Sequence, residues 1–200
     1  IFKIKDKKVM ISTVTDPYNF LEEKHQITRM ILEQLVKSEA YISVVTKSKL
    51  VLRDIDLLQK MKHVEVAISV STLDEILAKK LEPCSSSVQE RLGTLKELKA
   101  SGIKTVLFLS PVLPCFTDYK AVIEATKDYV DEYWFDKLNL RSSFKTKMFS
   151  FIENEYPQYK SFYNNIYIKK DNTFWNDLSS EIDEYCRLHN INNKIFFAGT

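Results

Sequence analysis

The sequence predicts an α/β fold with a parallel sheet in a single domain. Three observations predict it. Nearly all-apolar, β-branched runs of strand length recur along the chain, amphipathic helical segments separate them, and no Pro-, Gly- or Ser-rich linker divides the 200 residues. Strands apolar on both faces belong to parallel sheets, whose crossovers are helices. Two architectures satisfy the pattern: a (β/α) barrel, whole or partial, and a doubly wound sheet.

Val9 to Val14 is the first strand, ended by Thr15-Asp16-Pro17-Tyr18, where Pro17 cannot donate to a ladder and biases Asp16 away from helix. From about Phe20 to Ser38, Leu21, Ile27, Ile31, Leu32 and Leu35 fall at helical spacing between charged residues. Tyr41 to Thr46 is the second strand. Lys47-Ser48-Lys49 and Arg53-Asp54 follow, then a short helix carrying Ile55, Leu57, Leu58 and Met61. Val64 to Val70 is the third strand, succeeded by Leu73 to Lys80, a Pro83 and Ser-rich break, and a helix from about Ser87 to Ala100. Ser87 and Glu90 stand at capping-box spacing, and Gly102 sits where a C-cap is expected. Ile103 to Ser110 is the fourth strand, running into Pro111-Val112-Leu113-Pro114. Tyr119 to Asp128 is a helix, and Glu132 to Phe135 a fifth strand leaving through Lys137 to Arg141. An aromatic-rich helical segment from about 144 to 200, less regular up to Tyr167 and broken at Pro157, packs on this core; it includes a helix from Phe174 to His189 and a final strand at Ile195 to Phe197.

Composition excludes several classes. An apolar share of 44% with 28% charged is ordinary for a globular protein, and a net charge of +2 spread along the chain neither requires nor excludes a nucleic-acid partner. No apolar segment approaches the roughly 20 residues that span a bilayer, and Ile1-Phe2-Lys3-Ile4-Lys5 is no signal-peptide core, so the cytoplasm is expected and a membrane partner is not. Cys84, Cys115 and Cys186 are odd in number and far apart, which argues against a disulfide framework and fits a reducing compartment. None has a second Cys or a His at ligand spacing, and His25, His63 and His189 are equally isolated, so no metal site built from sequence neighbours is expected. Gly93, Gly102 and Gly199 are the only glycines and form neither a P-loop nor a Rossmann fingerprint. The scattered histidines assemble no Ser-His-Asp triad, and the many acids single out no glycosidase pair. No catalytic residue is assigned. The chain opens without Met and directly in strand-like alternation, and is expected to be a piece of a longer protein.

Chemistry concentrates where the strands end. Val64 to Val70 begins β-branched and finishes in Ser69, Ser71 and Thr72, and the other strand ends carry Thr15-Asp16-Pro17, Thr46-Lys47-Ser48, Pro111 to Pro114 and Asn139-Leu140-Arg141. In a barrel-like sheet these ends converge on the face that builds active sites. Asp16, Lys47, Ser69, Ser71 and Arg91 make a set able to hold a zwitterionic or hydroxyl-rich ligand, since a carboxylate binds an ammonium, Arg or Lys a carboxylate, and hydroxyls the oxygens of a ribose.

The order of motifs resembles the radical S-adenosylmethionine superfamily, in the branch of spore photoproduct lyase and DNA repair photolyase-like proteins. The residues that carry the resemblance are Thr13 to Tyr18 with Glu22, Thr46-Lys47-Ser48 with Leu52-Arg53-Asp54, Val66 to Ser71 with Leu81-Glu82-Pro83 and Arg91-Leu92, and Gly102-Ile103 leading to Pro111 to Pro114. It covers roughly residues 9 to 141. The resemblance implies a partial (β/α)6 TIM-like barrel lacking its first strand, and an enzyme that cleaves S-adenosylmethionine reductively with a [4Fe-4S] cluster, releasing a 5′-deoxyadenosyl radical that abstracts hydrogen. By position it places Thr15 and Asp16 near the methionyl amino group. It places Lys47 and Ser69 or Ser71 beside the methionyl or ribose part, Arg91 at the carboxylate, and the backbone around Pro111 to Leu113 at the adenine, with Thr46 also among the cofactor-binding residues.

One departure is large. The family holds its cluster with C-x-x-x-C-x-x-C on the loop after the first barrel strand, and thiolates are what such a cluster needs. This chain lacks the motif, so the resemblance implies that the cluster cysteines lie upstream of Ile1 and that these residues alone are inactive. By analogy the substrate is a nucleic-acid lesion, and a flavodoxin- or ferredoxin-type protein the reductant. Tyr156, Tyr159, Phe162, Tyr163, Tyr167, Phe174 and Trp175, interleaved with Lys160, Lys169 and Lys170, fit either core packing or nucleic-acid stacking. The alternative reading is a non-catalytic degenerate barrel that binds a ligand or a partner protein. An ordinary metabolic (β/α) enzyme ranks last for want of a phosphate-binding glycine pair. An edge left open at the first strand also predicts self-association.

Overall fold

The computed structural model describes residues 4–11 and 14–197. Six strands form one sheet in the order β1(Lys8–Ile11), β2(Tyr41–Thr46), β3(Val64–Ser69), β4(Lys104–Val112), β5(Glu132–Lys137) and β6(Asn193–Ile195). Every neighbouring pair is parallel. Sequence order equals spatial order, so each crossover returns in the same direction and the sheet never reverses. That topology winds a barrel rather than a doubly wound sheet, and the strands curl into a half-barrel with helices around it.

Alternation along the strands sorts two faces. Ile42, Val44, Val66, Ile68, Leu107, Leu109, Tyr133 and Phe135 point to the helices and join the main core with Leu32, Leu58, Leu95, Leu98 and Val122. Ala67, Val106 and Trp134, with Val45 and Phe108, form a separate cluster made of strand residues alone. That second cluster is the floor of the concave face.

The crossover helices are α1(Glu22–His25), α2(Ile27–Leu35), α3(Ile55–Leu58), α4(Glu75–Leu81), α5(Val88–Ala100) and α6(Tyr119–Thr126). Local chemistry fixes their ends. Asp74 and Asp118 accept backbone N–H bonds at the starts of α4 and α6, and Ser87 with Glu90 closes a capping box on α5. Gly102 adopts φ +73 after α5, where Ile103 N–H reaches back to the Leu98 carbonyl. α7(Ser142–Glu155), a 3-10 turn at Pro157–Tyr159, α8(Lys160–Tyr167) and α9(Thr173–Leu188) complete the chain. Leu113, Leu138, Met148, Ile152 and Tyr163 form a further core that holds α7 and α8 over the ends of β4 and β5. No helix among the described residues is long and apolar enough to cross a membrane.

The structure corrects several expected boundaries. The first strand stops at Ile11; Ser12 and Thr13 lie outside the described residues, and Val14 is 95% exposed. The helix expected from Phe20 to Ser38 is two helices, because Gln26 takes a left-handed conformation (φ 52) and the Glu22 carboxylate accepts the N–H groups of Thr28 and Arg29 that open α2. β4 runs on to Val112 and β5 to Lys137, while the last strand lies at Asn193–Ile195, ahead of Phe196 and Phe197. Through the segment expected to be irregular, α7 runs 14 residues unbroken as far as Glu155.

Candidate functional site

The C-terminal strand ends are fastened to one another by the polar residues the motifs supply. Asp16, in the loop after β1, accepts from the Tyr18 N–H at 2.9 Å and the Thr46 hydroxyl at 2.6 Å through one oxygen, and from the Lys47 N–H at 2.7 Å through the other. A carboxylate offers about four lone-pair sites, so Asp16 keeps capacity for a further donor. Thr15 is exposed beside it.

Behind this loop lies an ion network built from the other residues of the first two motifs. Asp54, 0% exposed, accepts from Arg53 Nε at 2.9 Å, Arg29 Nη1 at 2.8 Å and the Tyr18 hydroxyl at 3.0 Å. Arg53 also bonds the Glu22 carboxylate at 2.8 Å. Burial works against ionisation of Glu22 and Asp54. The N–H groups and guanidiniums around them outweigh it, and both carboxyls sit below their ordinary range. Tyr18 is pushed far up by burial and by Asp54. Tyr18, Glu22, Arg53 and Asp54 therefore hold the Asp16 loop in place.

The second group centres on Arg91, 2% exposed on α5. Its Nε donates to the Ser86 carbonyl at 2.8 Å and its Nη1 to the Ser69 carbonyl at 3.0 Å, and Nη1 pairs with Glu82 at 2.7 Å. Glu82 also faces Lys47 Nζ at 3.6 Å. The carboxylate that meets Arg91 here is thus the chain's own. Glu82, just past the end of α4, bridges the two cations assigned to a ligand. The site residues expected from the motifs did not include it.

Ser71, Arg91, Pro111 and Leu113 line one cavity of about 70 Å³, together with Thr72, Glu82 and the apolar side chains of Leu138, Phe144 and Met148. The Ser71 hydroxyl, buried with the residue 7% exposed, has no hydrogen-bond partner among the described residues. An orphaned buried hydroxyl is costly, and one that lines a cavity marks a place for a ligand or water. Thr117 stitches the walls, donating to the Ser71 carbonyl at 2.6 Å and accepting from the Leu113 N–H at 2.8 Å. Phe144 and Met148 close the cavity from α7, and Tyr163 ties α8 to the same rim through the Pro114 carbonyl at 2.9 Å. Thr117, Phe144 and Met148 were also not foreseen. The i, i+4 spacing of Phe144 and Met148 on an amphipathic helix was the available signal.

The expected residues therefore join in one continuous set: Thr15, Asp16, Thr46 and Lys47 on one side, Ser69, Ser71 and Arg91 in the middle, Pro111 and Leu113 on the other. Among the described residues no group of His, Cys, Asp and Glu could hold a metal. Cys84 and Cys115 are exposed and Cys186 is buried on α9, so the described residues supply no thiolate set for an iron–sulfur cluster. Lys47 and Arg91 bridged by Glu82, buried hydroxyls and an apolar wall thus stand side by side along the rim.

Among solved structures the chain matches SuiB of Streptococcus suis bound to S-adenosylmethionine, with a TM-score of 0.60 and 15% identity over 85% of this chain and 36% of that one. It also matches a spore photoproduct lyase mutant with bound AdoMet and dinucleoside spore photoproduct, with a TM-score of 0.56 and 16% identity over 75% of this chain and 45% of that one. The chain has the fold of spore photoproduct lyase. At such identities the likeness is one of fold, and it agrees with the resemblance drawn from the motif order. No family model matches the chain. In sequence it is 38% identical over 151 residues to the uncharacterized protein MJ0683 of Methanocaldococcus jannaschii, covering 76% of this chain and 57% of that protein. It is 34% identical over 111 residues to the uncharacterized protein ORF301 of Acidianus two-tailed virus, covering 55% of this chain and 36% of that one. The chain thus spans little more than half the length of the first relative and about a third of the second.

Proposed function

We propose that the C-terminal rim of the half-barrel binds S-adenosylmethionine and forms the core of a radical S-adenosylmethionine enzyme. The orphaned Ser71 hydroxyl carries the reading, because it lines a cavity shared by Arg91, Pro111 and Leu113 and separated from Lys47 only by Glu82. The solved structures with this fold and bound S-adenosylmethionine support it.

In this reading Asp16 and Thr15 receive the methionyl ammonium, and Lys47, with Arg91 behind it, neutralises the carboxylate. Thr46 keeps Asp16 oriented, Ser69 and Ser71 bond the ribose oxygens, and the strand end from Pro111 to Leu113 contacts the adenine, with Phe144 and Met148 keeping water out. Charge-assisted bonds at opposite ends of the amino acid fix its orientation. Bound S-adenosylmethionine would supply a 5′-deoxyadenosyl radical for hydrogen abstraction once reduced through a [4Fe-4S] cluster whose cysteines lie outside the described residues. The open edge of β1 suits one further barrel strand, or a second copy of the chain. A nucleic-acid lesion as substrate, a flavodoxin- or ferredoxin-type reductant and a cytoplasmic location complete the proposal.

The test is anaerobic reconstitution of the full-length protein with iron, sulfide, a strong reductant and S-adenosylmethionine. Formation of 5′-deoxyadenosine supports an enzyme. Binding of S-adenosylmethionine without 5′-deoxyadenosine favours the degenerate barrel, which the absence of a thiolate set among the described residues keeps in play.

A further inference from the structure

The half-barrel has a second cavity at the opposite end from the rim. It measures about 620 Å³ and lies over the N-terminal ends of the strands, within the range of ligand pockets. Tyr41, His63, Trp134 and Phe196 give it aromatic walls, and Lys8, Lys62, Lys104 and Lys194 surround them, with Glu65 as the one acid of the lining among the described residues. We propose that this cavity is a separate binding site for a nucleoside monophosphate.

The charges decide the sign of the ligand. Lys104 is compensated by Glu65 at 2.8 Å and by Glu132 at 2.6 Å, and Lys194 by Glu132 at 2.6 Å. Glu132 is further bound by Trp134 Nε1 at 3.0 Å, so it is fully engaged. Lys8 and Lys62 have no ion-pair partner among the described residues, and both are exposed at the mouth. Glu39, whose carboxylate also feels the charge of Lys62, is paired with Lys5 at 2.9 Å. Two lysines of the lining thus hold no close ion pair among the described residues, which favours an anion such as a phosphate.

The walls decide the rest. Tyr41 and His63 are stacked at 4.4 Å, with Tyr41 47% exposed, and Phe196 is 44% exposed beside Trp134. Large rings left open next to free lysines suit a base attached to a phosphate. The Ser43 hydroxyl, buried and without a partner among the described residues, lines the same cavity and offers the polar contact that an unsubstituted hydrocarbon would leave unused. Ser43 follows Tyr41 on the concave row of β2, so one strand presents both.

Calorimetric titration of the full-length protein with uridine 5′-monophosphate tests the proposal. The expected result is one-to-one binding that is unchanged by saturating S-adenosylmethionine and by Lys47→Ala, because this site lies at the other end of the sheet. The exposed pair Lys8→Ala and Lys62→Ala together should weaken it by about tenfold or more, as loss of charged contacts does, while far-ultraviolet dichroism confirms an intact fold. No binding at millimolar nucleotide overturns the proposal, as does an affinity that the lysine variant leaves unchanged. Uridine binding as tightly as the monophosphate shows that the lysines recognise nothing. Inorganic phosphate binding as tightly shows an unselective anion site. An oligothymidylate binding more tightly than the mononucleotide reassigns the cavity to a nucleic-acid strand. Each of these refutes the assignment.

Discussion

Replacing Arg91 by Met removes the group on which the site geometry turns. The side chain is 2% exposed, holds the Ser69 and Ser86 carbonyls at 3.0 and 2.8 Å, and pairs with Glu82 at 2.7 Å. Removing one member of a buried ion pair costs about 3–5 kcal/mol, chiefly by stranding the other. Glu82 is 16% exposed at its side chain and keeps Lys47 at 3.6 Å, so the lower end applies to the pair. The two abandoned carbonyls add about 1 kcal/mol between them. A loss of about 4 kcal/mol follows, or a fall in melting temperature of roughly 8–16 °C for a chain of this size. Urea unfolding measures it. The double variant Glu82→Gln with Arg91→Met removes the stranded charge and should recover about half of that loss. A loss below about 1 kcal/mol for the single variant, or a double variant no more stable than the single, would refute the reasoning.

Two further perturbations probe the supports of the site. Asp54→Asn leaves Arg53 and Arg29 facing a neutral amide; because those guanidiniums are about a quarter exposed, at 22% and 24%, the expected loss is about 2–3 kcal/mol in urea, and an unchanged midpoint contradicts the network's role. Burial alone would raise the Glu132 carboxyl, yet hydrogen bonds from Lys104, Lys194 and Trp134 overcome it and hold the group at about 2, below its ordinary 4.5. A depressed carboxyl stabilises the fold fully above its unfolded value and loses that contribution as pH falls towards the folded one. Stability should therefore drop by about 3 kcal/mol between pH 4.5 and 2, and Glu132→Gln should flatten that part of the curve.

Much of the fold was legible because β-branched runs and capping residues report local structure directly. Tyr41 to Thr46 emerged with its boundaries as read, and the Ser87–Glu90 capping box formed as its spacing required. The break at Gln26 was not legible, since it depends on the Glu22 carboxylate capping a helix six residues on, a contact that no periodicity encodes. The site was legible as a set of strand ends, because parallel strands in sequential order must bring those ends to one rim. What each residue does there was less so. Asp16 and Arg91 read as ligand contacts, but the bonds they make here go to the chain itself, and Glu82 stands between Arg91 and Lys47. A sequence shows which charges exist, while their pairing depends on side-chain packing. For the same reason Tyr163 and Trp175, aromatic residues open to either reading, lie in the core, whereas Tyr41 and Phe196 at the far cavity drew no attention.

The most direct test of the account is calorimetric titration of S-adenosylmethionine into the full-length protein and its Lys47→Ala variant. The Lys47 side chain is part-exposed and, among the described residues, makes one loose ion pair, with Glu82, while the backbone bond to Asp16 survives in the variant, so the fold should be unchanged. The account predicts one-to-one binding that weakens by about tenfold or more in the variant, in line with loss of a charge-assisted bond. Absence of binding, or equal binding by both proteins, would contradict the assignment of the rim as the S-adenosylmethionine site.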